Sequence, residues 1–540
     1  MNGIFNMLDA FKRSPWASAL LLFLLSLFGL QINLGHQPVF DEIYHVLAAQ
    51  GWLEHGEPRI AEGSYERVLG FTILIAWLFD LFGVSLEVGR QPAVIACALL
   101  VALVFCWSWY QIGRTAAWMI AILFATSPFL IDIAQFVRFY ALQALAFWIG
   151  AMSIYALLGH ERSLGQRLIL AFGAVVALML AYYFQPVTII GAFGLCIWAA
   201  LVLCIAWLRD AGPARSTRLV ILFGLALVGM AAAAFVLTSD VGSDLINKFN
   251  RVPVWGQANR GSFFYYHAWL VLYYPSLWTL IPVLVLVAVV SKPRPAWFAF
   301  TIFIVAFLIH SFAAAKGLRY IFYAIPFLFI LWGIALADLF GRLVGFVQDY
   351  LDRASKPVTA QLADVLRPIF WVVFVGFTLS ANTATVRSVT MLAGITIPPE
   401  RPPLRWGEVR PVLQPWLDSA DVVITSSEMH ALYYLGRYDL LFSQSRFGEI
   451  EGEQLARDYR TGRPVINDRA LLMSIIECYP KGLIVSTALR WRSEWAIDIA
   501  TANEIVRHTE MIDLPKGSGV VAFGWDHEVA SDNLLNCPTW

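Results

Sequence analysis

Long apolar runs separated by short polar joints fill the chain from about residue 15 to residue 386, and near residue 398 the pattern gives way to short alternating runs. About 20 consecutive apolar residues cross the hydrocarbon core of a bilayer. On that measure helices are predicted over 15–34, 67–83, 92–110, 116–131, 139–158, 167–184, 186–208, 218–238, 267–290, 297–314, 320–341 and 367–386, about twelve spans in all. Lys12 and Arg13 precede the first run, which predicts an uncleaved helix with its N-terminus inside.

Beyond the proline-rich joint at 398–403 the polar positions multiply. Asp421 to Ser426, Gly482 to Thr487 and Gly519 to Trp525 read as short strands, the first two followed by helical patterns. That alternation predicts a small α/β domain with a largely parallel sheet. The chain therefore divides into a transmembrane module over 1–390, whose external loop spans 35–66, and an α/β domain over 398–540 outside the cytoplasm. The second unit has no glycine-rich phosphate loop, nucleophile elbow or zinc spacing, so a supporting or acceptor-binding role is expected of it.

Basic joints orient the helices. Arg162 with Arg167, Arg209 with Arg215 and Arg218, Lys292 with Arg294, and Arg342 with Arg353, Lys356 and Arg367 mark cytoplasmic connections. The joints at 136–139, 184–186, 239–266 and 313–319 then face outward. Within the third of these, Lys248, Phe249, Arg251, Val252, Trp255 and Arg260 suit either a surface-lying amphipathic segment or an ordinary interfacial loop. One conflict arises. Three runs separate the loop at 36–67 from Arg138, one too many for both to lie outside, so either 67–83 or 116–131 fails to cross fully, or the latter breaks at Pro128.

Composition agrees with the pattern: 59% of residues are hydrophobic and 14% charged, as in polytopic membrane proteins. Lys plus Arg equals Asp plus Glu, which gives no reason to expect a nucleic-acid partner. Cys97, Cys106, Cys196 and Cys204 lie in apolar runs and read as small buried hydrophobes. Cys478 and Cys537 lie in the polar region and are candidates for a disulfide if that region is outside the cytoplasm.

Against this apolar background the adjacent carboxylates Asp41 and Glu42, at a membrane edge, stand out. An ionisable group kept near hydrocarbon is a functional candidate, although an acid at the start of a helix over Ile43–Trp52 is also an ordinary cap. Asp41 could accept a proton from a hydroxyl while Glu42, pointing elsewhere, positions substrate or a cation. His45, four residues on, leaves a divalent metal open beside the reading without one. Arg138, with Tyr140 near it, could snorkel to the interface, bind a phosphate or pair with Asp41. Lys316 and Arg319 run counter to the positive-inside tendency, and could hold the phosphate of a lipid-linked donor. Tyr320 is a candidate substrate contact and equally an interfacial aromatic.

The clusters Asp41-Glu42, Arg138 and Arg319-Tyr320 with Pro326, in that order over about residues 10–345, resemble those of the GT-C glycosyltransferases that use polyprenyl-phosphate sugars. The likeness is to the protein mannosyltransferases and the bacterial transferases that place aminoarabinose on lipid A. It implies a bacterial inner-membrane enzyme with its C-terminal domain periplasmic or extracellular. The implied reaction is inverting: Asp41 deprotonates an acceptor hydroxyl on a glycan, lipid or protein, the hydroxyl attacks the anomeric carbon, and the lipid phosphate leaves. Related bacterial members often carry an acid shortly after the position of Arg138, where this chain has Tyr140 and Gln143; that departure argues against a second acid there and against aminoarabinose in particular. The competing class is a transporter or flippase of a lipid-linked sugar. Transporters commonly show repeated halves and helices broken at the midplane, whereas the polar clusters here fall at segment ends and no repeat is evident.

Overall fold

The computed structural model describes residues 14–159, 163–209, 262–353, 359–398, 404–444, 455–528 and 537–538. The predicted span 218–238, the surface stretch from Lys248 to Arg260, Arg162, Arg215, Arg218, Lys356 and all but the first residue of the proline joint lie outside these. The helical part comprises α1 (Pro15–Leu30), α2 (Phe40–His55), α3 (Leu69–Phe82), α4 (Leu86–Gln111), α5 (Arg114–Ala125), α6 (Pro128–Ala134), α7 (Tyr140–Leu157), α8 (Leu164–Phe184) and α9 (Thr188–Arg209). After the gap come α10 (Tyr265–Tyr273), α11 (Pro275–Thr279), α12 (Ile281–Ser291), α13 (Pro293–Phe312), α14 (Leu318–Ile321), α15 (Ile325–Arg353), α16 (Thr359–Ser380) and α17 (Ala384–Leu392). Among the described residues six helices are long and apolar enough to cross a membrane, or eight if each of two bent pairs is one span. The chain is a multi-pass membrane protein. Helices α8 and α9 leave Phe172, Met179, Ile189 and Phe193 uncovered, as a lipid-facing surface requires.

Prolines account for two of the departures from the predicted spans. The run 116–131 is two helices bent by 57° at Thr126-Ser127, because Pro128 lacks the N–H that would continue the ladder and Ser127 Oγ caps the new start by accepting from Phe129 N at 3.2 Å. The run 267–290 is likewise split, at Pro275 and before Pro282, into α10, α11 and α12. The last span turns by 77° between α16 and α17, where Asn382 Oδ1 accepts from Ser276 Oγ at 2.9 Å.

The conflict over Asp41 and Arg138 resolves at 67–83, which is not a crossing. Helix α3 has 14 residues, about 21 Å at 1.5 Å per residue, against a hydrocarbon core of about 30 Å. Its first turn is held by Tyr183 at the end of α8, whose hydroxyl accepts from Gly70 N at 2.9 Å. Its last turn leads within a few residues into α4, whose Arg90 grips Glu42 of α2. Both ends of α3 therefore stay at the face of the helical body that carries α2, and one crossing fewer puts Asp41 and Arg138 on the same side.

The C-terminal part contains α18 (Trp406–Ser419), β3 (Val422–Thr425), α19 (Glu428–His430), β4 (Leu440–Phe442), β5 (Ala456–Arg457), β6 (Pro464–Ile466), α20 (Arg469–Cys478), β7 (Lys481–Thr487), α21 (Ile499–His508), β8 (Glu510–Met511) and β9 (Val520–Asp526). A hairpin of β1 (Arg59–Ile60) and β2 (Gly63–Ser64) follows α2. The seven-stranded sheet has the order β5-β6-β4-β3-β7-β9-β8, parallel from β6 to β7 and antiparallel at both edges. Strands β3, β4 and β7 are buried nearly throughout, as strands covered on both faces must be. Cys478 and Cys537 form a disulfide, with Cα atoms 5.6 Å apart. The architecture is the expected one, a polytopic helical module followed by a small α/β unit.

Candidate active site

The site is built on α2, whose residues advance by 100° per position and so present three faces. Phe40, Ile43 and Tyr44 face the sheet domain; Glu42, Val46 and Ala49 face the helical core; Asp41 lies between them at the open edge. The helix starts where Glu42, at its third position, folds back so that Oε2 accepts from Val39 N at 2.8 Å. It stops at Gly56, whose φ of 75° suits a residue without a Cβ.

Asp41 pairs with Arg319 at 2.5 Å and with Arg138 at 3.5 Å. Arg319, in α14, has its guanidinium 5.9 Å from the Tyr140 ring, 5.3 Å from the Tyr320 ring and 6.0 Å from the Phe136 ring. Arg138 sits in the turn between α6 and α7, where its Nη1 donates to the Tyr65 hydroxyl at 2.8 Å. That turn is sewn down on both sides: Gln135 Nε2 donates to Ile32 O at 2.8 Å and Val137 N to Glu42 Oε1 at 2.8 Å. Arg67, exposed at the end of the loop, lies over Phe139 at 5.5 Å and adds its charge to the field at Asp41. Burial alone would push the Asp41 carboxyl up, but Arg319 and then Arg138 outweigh it and hold the group well below the usual carboxylate range. One carboxylate thus faces three guanidiniums, an arrangement that retains positive charge for an incoming anion.

Three of the predicted residues stand elsewhere. Glu42 is fully buried and its oxygens are taken by Arg90 Nε at 2.9 Å, Arg90 Nη2 at 2.8 Å and two backbone N–H groups. It is a closed structural pair and touches nothing at the open edge. His45 is enclosed by the rings of Tyr65, Phe71 and Phe139, with Nδ1 2.9 Å from Thr72 Oγ1. Burial, then the charges of Arg138 and Arg67, push its imidazole well down. Among the described residues no three His, Cys, Asp or Glu side chains come together as a metal site would need. Lys316 turns back to Ser311 O at 2.7 Å and Ala313 O at 2.6 Å, capping the exposed carbonyls at the end of α13. Lys316→Met is therefore expected to lower stability by about 1–2 kcal/mol, read by thermal unfolding; an unchanged midpoint would contradict this placement.

Arg67, Arg90 and Tyr65 were not singled out in the sequence. Arg90 did carry a signal, as a lone cation beside an apolar run; Tyr65 carried none.

No family model matches the sequence, and no curated protein does. Solved structures do match. ArnT from Cupriavidus metallidurans bound to undecaprenyl phosphate superimposes with a TM-score of 0.59 at 16% identity, over 95% of this chain and 97% of that one. The apo state of the same protein gives a TM-score of 0.60 at 16% identity, over 94% and 96%. Likeness across nearly the whole of both chains, helical body and sheet domain together, gives this protein the fold of the GT-C glycosyltransferases.

Proposed function

We propose that the protein is an inverting glycosyltransferase that moves a sugar from a polyprenyl-phosphate donor to a hydroxyl of a glycan, lipid or protein. The observation that carries this reading is the Asp41 carboxylate set among Arg319, Arg138 and Arg67 at the edge of the helical body. The undecaprenyl phosphate held by ArnT, a protein of the same fold, supports the lipid-phosphate part. The acceptor O–H gives its proton to Asp41 and its oxygen attacks the anomeric carbon. The bond from that carbon to the phosphate oxygen breaks on the opposite face, and its electron pair leaves with the phosphate, stabilised by the arginines. Tyr140 and Tyr320 flank Arg319 and orient it. The setting we propose is a bacterial inner membrane with the site and the sheet domain on the periplasmic side.

A carboxylate held this tightly by arginines is a weak base. A donor phosphate competes for those guanidiniums, and as they move to it Asp41 regains basicity for the acceptor. The free enzyme is then expected to show no acid limb from Asp41 near the ordinary carboxylate pKa of about 4. A pKa below the usual value leaves the group ionised above that value, and protonation begins only at more acid pH. Measured kcat/KM should stay flat from pH 7 to about 3.5, through the ordinary carboxylate range; a fall of half or more centred near pH 4 at constant protein stability would contradict the pairing.

Envelope glycans, lipids and proteins from cells lacking the gene, compared by mass spectrometry with cells carrying it, test the assignment. One missing sugar, restored by the wild-type gene and not by Asp41→Asn, is expected. An unchanged sugar content, or purified protein that moves a labelled lipid-linked sugar across vesicles without forming a glycosidic bond, would overturn it.

A further inference from the structure

In α/β domains with a parallel sheet, ligands bind beyond the carboxyl ends of the strands, where the strand order reverses. In this sheet the reversal lies between β3 and β7: from β3 the chain runs outward through β4 and β6, then returns to β7 on the other side of β3. The ends of β3 and β7 there are rich in buried polar groups, with Ser426 Oγ and Ser486 Oγ 2.6 Å apart and Thr425 Oγ1 donating to Val485 O at 2.9 Å. The crevice they form is filled by the protein's own helix. Arg490, from the β7 loop, donates to Ser426 O and to Glu428 Oε2 at 3.1 Å, and its guanidinium lies 4.4 Å from the ring of Phe40, the residue before Asp41. Glu428 Oε1 in turn accepts from the Tyr44 hydroxyl at 3.3 Å.

From this seat a continuous path leads to the site. Tyr44 stacks on Tyr65 at 4.9 Å, and the Tyr65 hydroxyl accepts from Arg138, which pairs with Asp41. A second anchor lies alongside: Glu62 N in the β1–β2 hairpin donates to Thr461 O at 3.0 Å, and Arg463 holds the Glu62 carboxylate at 2.8 Å. The contact is close, since a Cβ on Gly63 would lie 2.5 Å from the Arg460 carbonyl carbon.

We propose that the switch-point crevice of the sheet domain is the fixed seat of α2, and that Glu428 and Arg490 are positioning residues that set Asp41 and Arg138 for the transfer. The inference rests on the transferase reading for its kinetic consequence, and on geometry alone for its structural one. A domain that only added stability would need no charged pair, with Glu428 buried and Arg490 half-buried, directed at the residue preceding Asp41.

The test uses the full-length protein in lipid nanodiscs, with Tyr44→Phe, Glu428→Gln, Arg490→Ala and Arg490→Lys. Hydrogen exchange is read at the α2 amides and at β3 and β7, beside transfer with donor and acceptor each varied. Expected for Tyr44→Phe, Glu428→Gln and Arg490→Ala is α2 exchange faster by about tenfold with the strand amides unchanged. With it, kcat should fall by about 10- to 100-fold, as a displacement of about 1 Å produces, at KM values within about threefold, with partial recovery in Arg490→Lys. Unchanged α2 exchange overturns the proposal, and so does equal loosening of the strands, which would mark a role in domain folding only. A raised KM at constant kcat overturns it too, by making these residues a substrate site. Exchange is measurable without turnover, so a wild-type protein that transfers nothing fails the transferase reading while the α2 amides still decide this one.

Discussion

Asp41→Asn is expected to lower transfer by about 10²- to 10⁴-fold, the range for removing a general base, while the folded protein stays in the membrane. The amide keeps the shape of the carboxyl and can still accept from Arg319, but it cannot take a proton from an acceptor hydroxyl. Because the Asp41 side chain retains 29% of its exposure and Arg319 24%, solvent screens the pair and its loss should move stability little. Transfer is measured with labelled donor in nanodiscs, and retention of fold by thermal unfolding of the same preparation. Wild-type turnover in this variant would remove Asp41 from the chemistry. Unfolded protein would instead make its pairing with Arg319 a structural requirement.

The second large effect is expected at a residue beside it, for a different reason. Glu42 and Arg90 are both wholly buried, and Arg90 Nη1 also donates to Leu34 O at 2.5 Å and His36 O at 2.9 Å. The pair therefore ties together the joint after α1, the start of α2, α4 and the turn that carries Arg138. Glu42→Leu leaves a buried guanidinium without its counter-charge, and removal of one partner from such a pair costs about 3–5 kcal/mol. A sharp fall in the midpoint of thermal unfolding and in the yield of extractable protein should follow. The double variant Glu42→Leu with Arg90→Met removes both charges and should regain a large part of the loss, since an apolar pair of similar volume is often tolerated. If the double variant were as unstable as the single one, the hydrogen bonds to the Leu34 and His36 carbonyls and to the Val39 and Val137 amides would be the main contribution and the charge pair the lesser.

The two adjacent acids thus divide their roles by direction. In sequence they form one motif; on the helix they are 100° apart, so one reaches the open edge and the other the core. Direction also separates the cations, Lys316 in the joint after α13 and Arg319 on α14. Lys316 and Arg319 are three residues apart, yet Lys316 falls where the carbonyls ending α13 need a donor, while Arg319 falls within reach of Asp41.

Much of the fold was legible in the chain. Apolar runs of bilayer length locate the spans because every backbone group in lipid must be satisfied within its own helix. Short buried strands likewise announce β3, β7 and β9, and the outward charges of Asp41, Arg138 and Arg319 mark three positions that the structure gathers. These are local properties, carried by a residue and its near neighbours. What folding alone decided is which distant groups meet. Arg90 reaches Glu42 across 48 positions and Tyr44 reaches Glu428 across 384, partners that no periodicity encodes because helix packing chooses them. The same holds for α3, whose apolar composition reads as a crossing although its length and the contacts at its two ends keep it at one face. Hydropathy determines that a segment belongs in or against lipid; whether it spans, and which carboxylate reaches the open edge, is determined by how the helices pack around it.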